Sequence, residues 1–130
     1  MAGRVLFFVE RASFEPAFQA ATMGVTAAAM GDEVYFVLAW DALRALARGS
    51  FGEPESDRER IEQARAEGLK LPAPMKMLEE ARALGAKLVA CDSTVKVCGF
   101  DPAQLTGIID EIMGLPAIWR LSEGARVVSL

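Results

Sequence analysis

The chain contains no histidine and only two cysteines, Cys91 and Cys98, in 130 residues. The missing histidine removes the usual general base at neutral pH, which weighs against hydrolysis and acyl transfer. Two thiols are too few soft ligands for a zinc or iron–sulfur centre within one chain, so a metal site would have to be shared between subunits. No metal and no organic cofactor is expected. Basic charge is scarce as well: 14 Lys and Arg stand against 18 Asp and Glu, a net charge of −4. Nucleic-acid binding needs a clustered basic surface, so the expected partners are proteins or small molecules. No run approaches the roughly 20 apolar residues of a membrane span. Met1–Val9 carries one arginine and too short an apolar stretch for a signal peptide, and the expectation is a cytoplasmic protein that does not enter the membrane.

What the chain does have is apolar bulk. Apolar residues make up 52% without counting the 11 glycines, above the usual ~45–50% that includes glycine. A chain of this length is expected to form one domain over residues 1–130. A small monomer buries too little surface to hide that apolar content, so a homo-oligomer is expected.

Along the chain, strand and helix patterns alternate. Arg4–Val9 (RVLFFV) and Glu33–Ala39 (EVYFVLA) are continuous apolar runs rich in β-formers, as in strands covered on both faces of a parallel sheet. Between them, Ser13 is placed to cap a helix over Phe14–Met30 that Gly31 ends, and its alanines allow it to lie close on the sheet. Asp41 is placed to cap a short helix over Ala42–Arg48. Trp40, at the carboxyl end of the second strand, either lines a pocket or packs on the sheet edge.

Ser50–Lys70 is a polar, charged insertion, read as excluded from the core. Ser56 and Glu59 fit a capping box for a helix over Asp57–Glu67. The segment serves as a solvated connection or, alternatively, as a lid or partner-docking arm. Pro74 then opens a helix over Met75–Leu84, and Gly85 ends it before a third strand, Lys87–Cys91.

This third strand is the centre of the reading. Leu88, Val89 and Ala90 form a buried-strand pattern that ends on Cys91, and Asp92, Ser93 and Thr94 follow as three candidate helix N-caps. Sites in open α/β sheets form at the carboxyl ends of strands, and unpaired N–H groups at a helix start favour a thiolate. Cys91 is thus either a nucleophile or a small buried hydrophobe. A neighbouring Asp92 charge would oppose the thiolate and Lys96 would support it. Cys98, seven residues on, lies ~10.5 Å along the axis if the intervening chain is a regular helix, beyond disulfide reach. It is either structural or a second, resolving thiol.

The run GAKLVACDSTVKVCGF at Gly85–Phe100 is preceded by Leu71–Pro72 and a short amphipathic helix and followed by a Leu-rich tail. It resembles the DsrE/DsrF-like family of small sulfur-handling proteins, which includes the Tus sulfur-relay subunits. The likeness spans nearly the whole chain as an order of elements, and its specific part is Gly85, Val89–Ala90–Cys91 and Gly99. It implies a three-layer α/β/α sandwich around a mostly parallel five-stranded sheet (DsrEFH-like, flavodoxin-like). After Phe100, where propensity favours helix, it implies a helical turn near Pro102–Leu105, a short strand near Ile108–Met113, a helix over Leu115–Glu123 and a last strand over Arg126–Ser129. It also implies persulfide sulfur on Cys91, donor and acceptor proteins or small thiols as partners, and a trimer or hexamer. By their spacing Leu115, Ile118 and Trp119 are either interface residues of such an assembly or an internal helix face. The family does not regularly carry a cysteine at the position of Cys98, whose role stays open. Three function classes follow, in order: a sulfur carrier or sulfurtransferase, a thiol oxidoreductase using Cys91 and Cys98, and a non-catalytic oligomeric binding module.

Overall fold

In a computed structural model, which describes residues 3–130, β1 (Arg4–Val9) lies inside a five-stranded sheet. The others are β2 (Glu33–Leu38), β3 (Lys87–Cys91), β4 (Glu111–Met113) and β5 (Arg126–Ser129), in the spatial order β4-β3-β2-β1-β5. Every pairing is parallel. β1 and β3 run between the expected residues, and β2 stops one residue short at Leu38.

The direction of travel dictates where the helices go. From β1 through β2 and β3 to β4 the chain steps the same way across the sheet, and right-handed crossovers put the connecting helices on one face. These helices are α1 (Phe14–Ala29), α2 (Trp40–Arg48), α4 (Pro74–Ala83) and α5 (Asp92–Val97). The return from β4 to β5 runs the opposite way, so α6 (Leu115–Leu121) is delivered to the other face. The result is a doubly wound α/β/α sandwich whose second helical layer is a single seven-residue helix. Among the described residues, no helix is long and apolar enough to cross a membrane.

Alternation along the strands divides the core in two. Val5, Phe7, Val9, Phe36, Leu38, Leu88 and Ala90 pack under the larger layer with Leu43, Leu46, Met77, Leu78 and Val95. Leu6, Val37, Val89 and Cys91 point the other way, against Ile118 of α6. α1 lies very close to the sheet, as its small residues allow. A Cβ built on Gly24 would stand 2.0 Å from Cζ of Phe36, whose ring stacks on Phe7 at 5.5 Å between centroids.

The polar insertion departs from expectation. Its helix α3 (Asp57–Gly68) makes one half of the expected capping box, the Glu59 N–H donating to Ser56 Oγ at 3.1 Å, but the Glu59 carboxylate accepts from the Glu55 and Glu15 N–H groups instead of the Ser56 N–H. Yet Phe51 and Glu59 are both buried, at 4% exposure. Phe51 joins the main core, and Glu59 turns to the start of α1. Ser13 occupies the N-cap position of α1, but its side chain makes no cap bond to the helix backbone. The Glu59 carboxylate does that work, because an ionised oxygen is a stronger acceptor for free N–H groups than a hydroxyl is.

Candidate functional site

Cys91 is the last residue of β3 and the N-cap residue of α5, with φ −71° and ψ 122°. The helix therefore begins at Asp92, ahead of where capping by Asp92, Ser93 or Thr94 would place its start, and no side chain caps it. The extended strand passes directly into the helical turn. Thr94 is buried at 1% exposure, while Ser93 is exposed. Lys96 Nζ lies 2.8 Å from Asp92 Oδ2. The two charges expected to compete over Cys91 thus satisfy each other across one turn of α5.

The Cys91 side chain is 8% exposed and belongs to the α6-side cluster of Leu6, Val37, Val89 and Ile118. Met113 is its register partner on β4, and Ala39 follows Leu38 on the β2 side, where Leu38 pairs with Ala90. The thiol thus stands in a largely apolar enclosure. Asp110 fixes the register that brings Met113 there. Its carboxylate accepts from the Leu88 N–H at 2.7 Å and from Arg82, and its own N–H donates to the Leu88 carbonyl at 2.9 Å. Burial pushes the Asp110 carboxyl up, but these donors and the Arg82 charge outweigh it and hold the group below its ordinary value.

Beside this cluster, under α6, is a cavity of about 640 Å³ lined by Phe8, Leu115, Pro116, Ile118, Trp119, Arg120 and Glu123. Ile118 is buried, so of the three candidate interface residues only Leu115 and Trp119 present apolar surface outward. Trp119 is 77% exposed.

Cys98 lies elsewhere. It is the C-cap residue of α5, half-buried, and its Sγ accepts from Arg44 Nη1 at 3.1 Å. Arg44 Nη2 in turn lies 2.7 Å from Asp41 Oδ1. The hydrogen bond to Asp41, and the sulfur after it, raise the Arg44 pKa against a smaller desolvation effect. Both thiols are free. Cys91 sits in the α6-side layer and Cys98 against α2 of the other, so the fold separates the pair that a dithiol mechanism would need together.

Trp40 occupies the carboxyl end of β2, where sequence reasoning put it, but as the first residue of α2 instead of its predecessor. The helix starts early because the Ala42 N–H donates to the Ala39 carbonyl and, within reach of the same donor, to Glu10, leaving Asp41 inside the first turn. Trp40 has φ 47°, a left-handed conformation costly for a bulky residue, and the residue is 41% exposed. Arg44 went unnoticed in the sequence. Its only signal was an i,i+3 spacing from Asp41, and nothing in the chain marks a residue 54 positions from Cys98 as its neighbour.

No family model and no curated protein matches the sequence. Solved structures do match. The ychN protein from E. coli superposes with a TM-score of 0.67 at 18% identity, over 100% of both chains. A protein of unknown function from Bacteroides thetaiotaomicron, BT1422, gives 0.59 at 14% identity, over 97% of this chain and 94% of its own. MTH1491, of unknown function, from Methanobacterium thermoautotrophicum, gives 0.56 at 15% identity, over 98% and 99%. At these identities the chain shares with all three an α/β fold along its whole length.

Proposed function

We propose that the protein is a sulfur carrier of the DsrE/DsrF-like kind, one domain that accepts sulfane sulfur as a persulfide on Cys91 and passes it to a partner thiol. The observation that carries this reading is the place of Cys91: the end of a central strand, with its thiol in an apolar enclosure. A sulfane sulfur is soft and polarisable, and apolar walls shelter it from water and competing thiols. The exchange is balanced without a base. The Cys91 thiolate attacks the outer sulfur of a donor persulfide, the donor S–S bond breaks, and the donor leaves as a thiolate. Delivery repeats the step with an acceptor thiolate attacking the outer sulfur on Cys91. Donors and acceptors are proteins or small thiols in the cytoplasm.

The exposed apolar surface of Leu115 and Trp119 supports assembly into a trimer or hexamer that would cover the thin α6 layer. Separation of the two thiols into different layers weighs against the dithiol oxidoreductase. The decisive experiment is intact mass after incubation with a persulfide donor. Wild type and Cys98→Ser gain one sulfur atom per subunit, and Cys91→Ser gains none. Loading that persists in Cys91→Ser refutes the proposal, and failure of every donor leaves the binding module as the better reading.

A further inference from the structure

The insertion leaves the body of the protein and returns to it at one point. Phe51 is buried in the main core, and the Gly52 N–H donates to the Ala12 carbonyl at 2.8 Å. Where the chain comes back, Pro74 is buried against Gly52 so closely that a Cβ there would meet Pro74 Cγ at 2.8 Å. Gly52 also has φ 91°, which a side chain would resist. Gly52 and Pro74 together form a neck that is part of the core.

Between the ends of that neck the chain has little apolar hold on the body. Glu59 is the only buried residue of α3, and Ile61, Leu69 and Leu71 are exposed. One carboxylate makes the attachment: Glu59 Oε2 accepts from the Glu15 N–H in the first turn of α1 at 2.6 Å, and Oε1 from the Glu55 N–H at 2.9 Å. Burial pushes the Glu59 carboxyl up, but these N–H groups, the Ser13 hydroxyl and Arg58 outweigh it and hold it below its ordinary value. The exposed Arg58–Glu15 pair at 2.9 Å adds little. Glu62 works against docking. It faces Glu15, and the Glu15 carboxyl, then burial, push its own pKa up.

We infer that residues 53–73 are a strap that opens from the Gly52–Pro74 neck as a unit, with Glu59 as its latch on α1. The opening leaves the sheet and Cys91 undisturbed, because the neck and Phe51 remain in place. It acts on a polar cleft of about 230 Å³ that has Glu53, Pro54 and Glu55 on one wall and Asp41, Arg44 and Arg48 of α2 on another. The Glu55 N–H is itself held by the latch, so release of Glu59 frees that wall and opens the cleft beside the arginine that contacts Cys98.

Amide hydrogen exchange read by mass spectrometry, with limited trypsin digestion, tests this on the full chain. In wild type, strap peptides exchange in a separate step before β1, β2 and β3, and trypsin cuts first at Arg58, Arg60, Arg65 or Lys70. Glu59→Gln places an amide against two N–H donors, and strap exchange speeds up by about tenfold or more while the sheet is unchanged. Ser56→Ala removes the cap of α3 but leaves the latch, and its effect stays within the first turn of α3. The inference is overturned if strap and sheet exchange together, if Glu59→Gln speeds both equally or neither, or if Ser56→Ala frees the whole strap. Should Glu59→Gln fail to fold, the wild-type data decide alone, and first cuts outside the strap reject it.

Discussion

Replacing Gly24 by alanine pits two physical effects against each other on one helix. In an exposed helix interior the change gains about 1 kcal/mol in propensity. Here the new methyl would stand 2.0 Å from Cζ and 2.4 Å from Cε1 of Phe36. Phe36 has no exposed surface, and its ring is stacked on Phe7, so it has no empty space to turn into. α1 must lift from the sheet by more than 1 Å, as interiors packed at crystal density do not absorb such a shift locally. Overpacking costs roughly 1–3 kcal/mol and sometimes more, and an approach this close to a fully buried ring belongs at the upper end, so after the propensity gain the net loss is about 2 kcal/mol. Urea unfolding followed by far-ultraviolet circular dichroism reads this as a lower midpoint at unchanged slope. The double variant Gly24→Ala with Phe36→Leu recovers part of the loss relative to Phe36→Leu alone, because the smaller side chain makes room. A Gly24→Ala protein as stable as wild type, or more so, would refute the close approach of α1.

Acid should destabilise the fold through Glu59 and Asp110, both held below their ordinary pKa values. Their contribution is complete above the unfolded carboxylate range near pH 4–4.5 and is lost as pH falls through the folded values. Urea midpoints between pH 6 and pH 3 check this, and Asp110→Asn flattens the decline. Ile118→Ala removes the α6 residue that closes the Cys91 cluster. It costs about 2–5 kcal/mol and speeds alkylation of Cys91 without changing Cys98, as peptide-resolved labelling would reveal. Arg44→Ala removes the guanidinium from Cys98 Sγ, and the same assay near neutral pH shows Cys98 labelling several-fold more slowly with Cys91 unaffected.

The sheet was legible because its central strands are buried on both faces and therefore read as unbroken apolar runs. Arg4–Val9 and Lys87–Cys91 needed no knowledge of their neighbours. The start of α3 was equally plain, since Ser56 and Glu59 act within one turn. Features that depend on distant partners were hidden. A glutamate in a polar helix signals solvent, and only the folded chain brings Glu59 to an N–H group 44 positions away. Three polar residues after Cys91 resemble caps, but the helix starts directly from the strand, which leaves Cys91 itself in that position. β4 has three residues, too few for a periodicity, and is held through Asp110 and its pairing with β3.

Locating the sulfur atom is the most direct test of the central claim. Wild-type protein loaded from a persulfide donor, trapped by alkylation and digested, is mapped by tandem mass spectrometry. The account predicts the added sulfur on Cys91, in the peptide that spans the junction of β3 and α5, and its loss on addition of an acceptor thiol. Sulfur carried on Cys98 with Cys91 unmodified would contradict it.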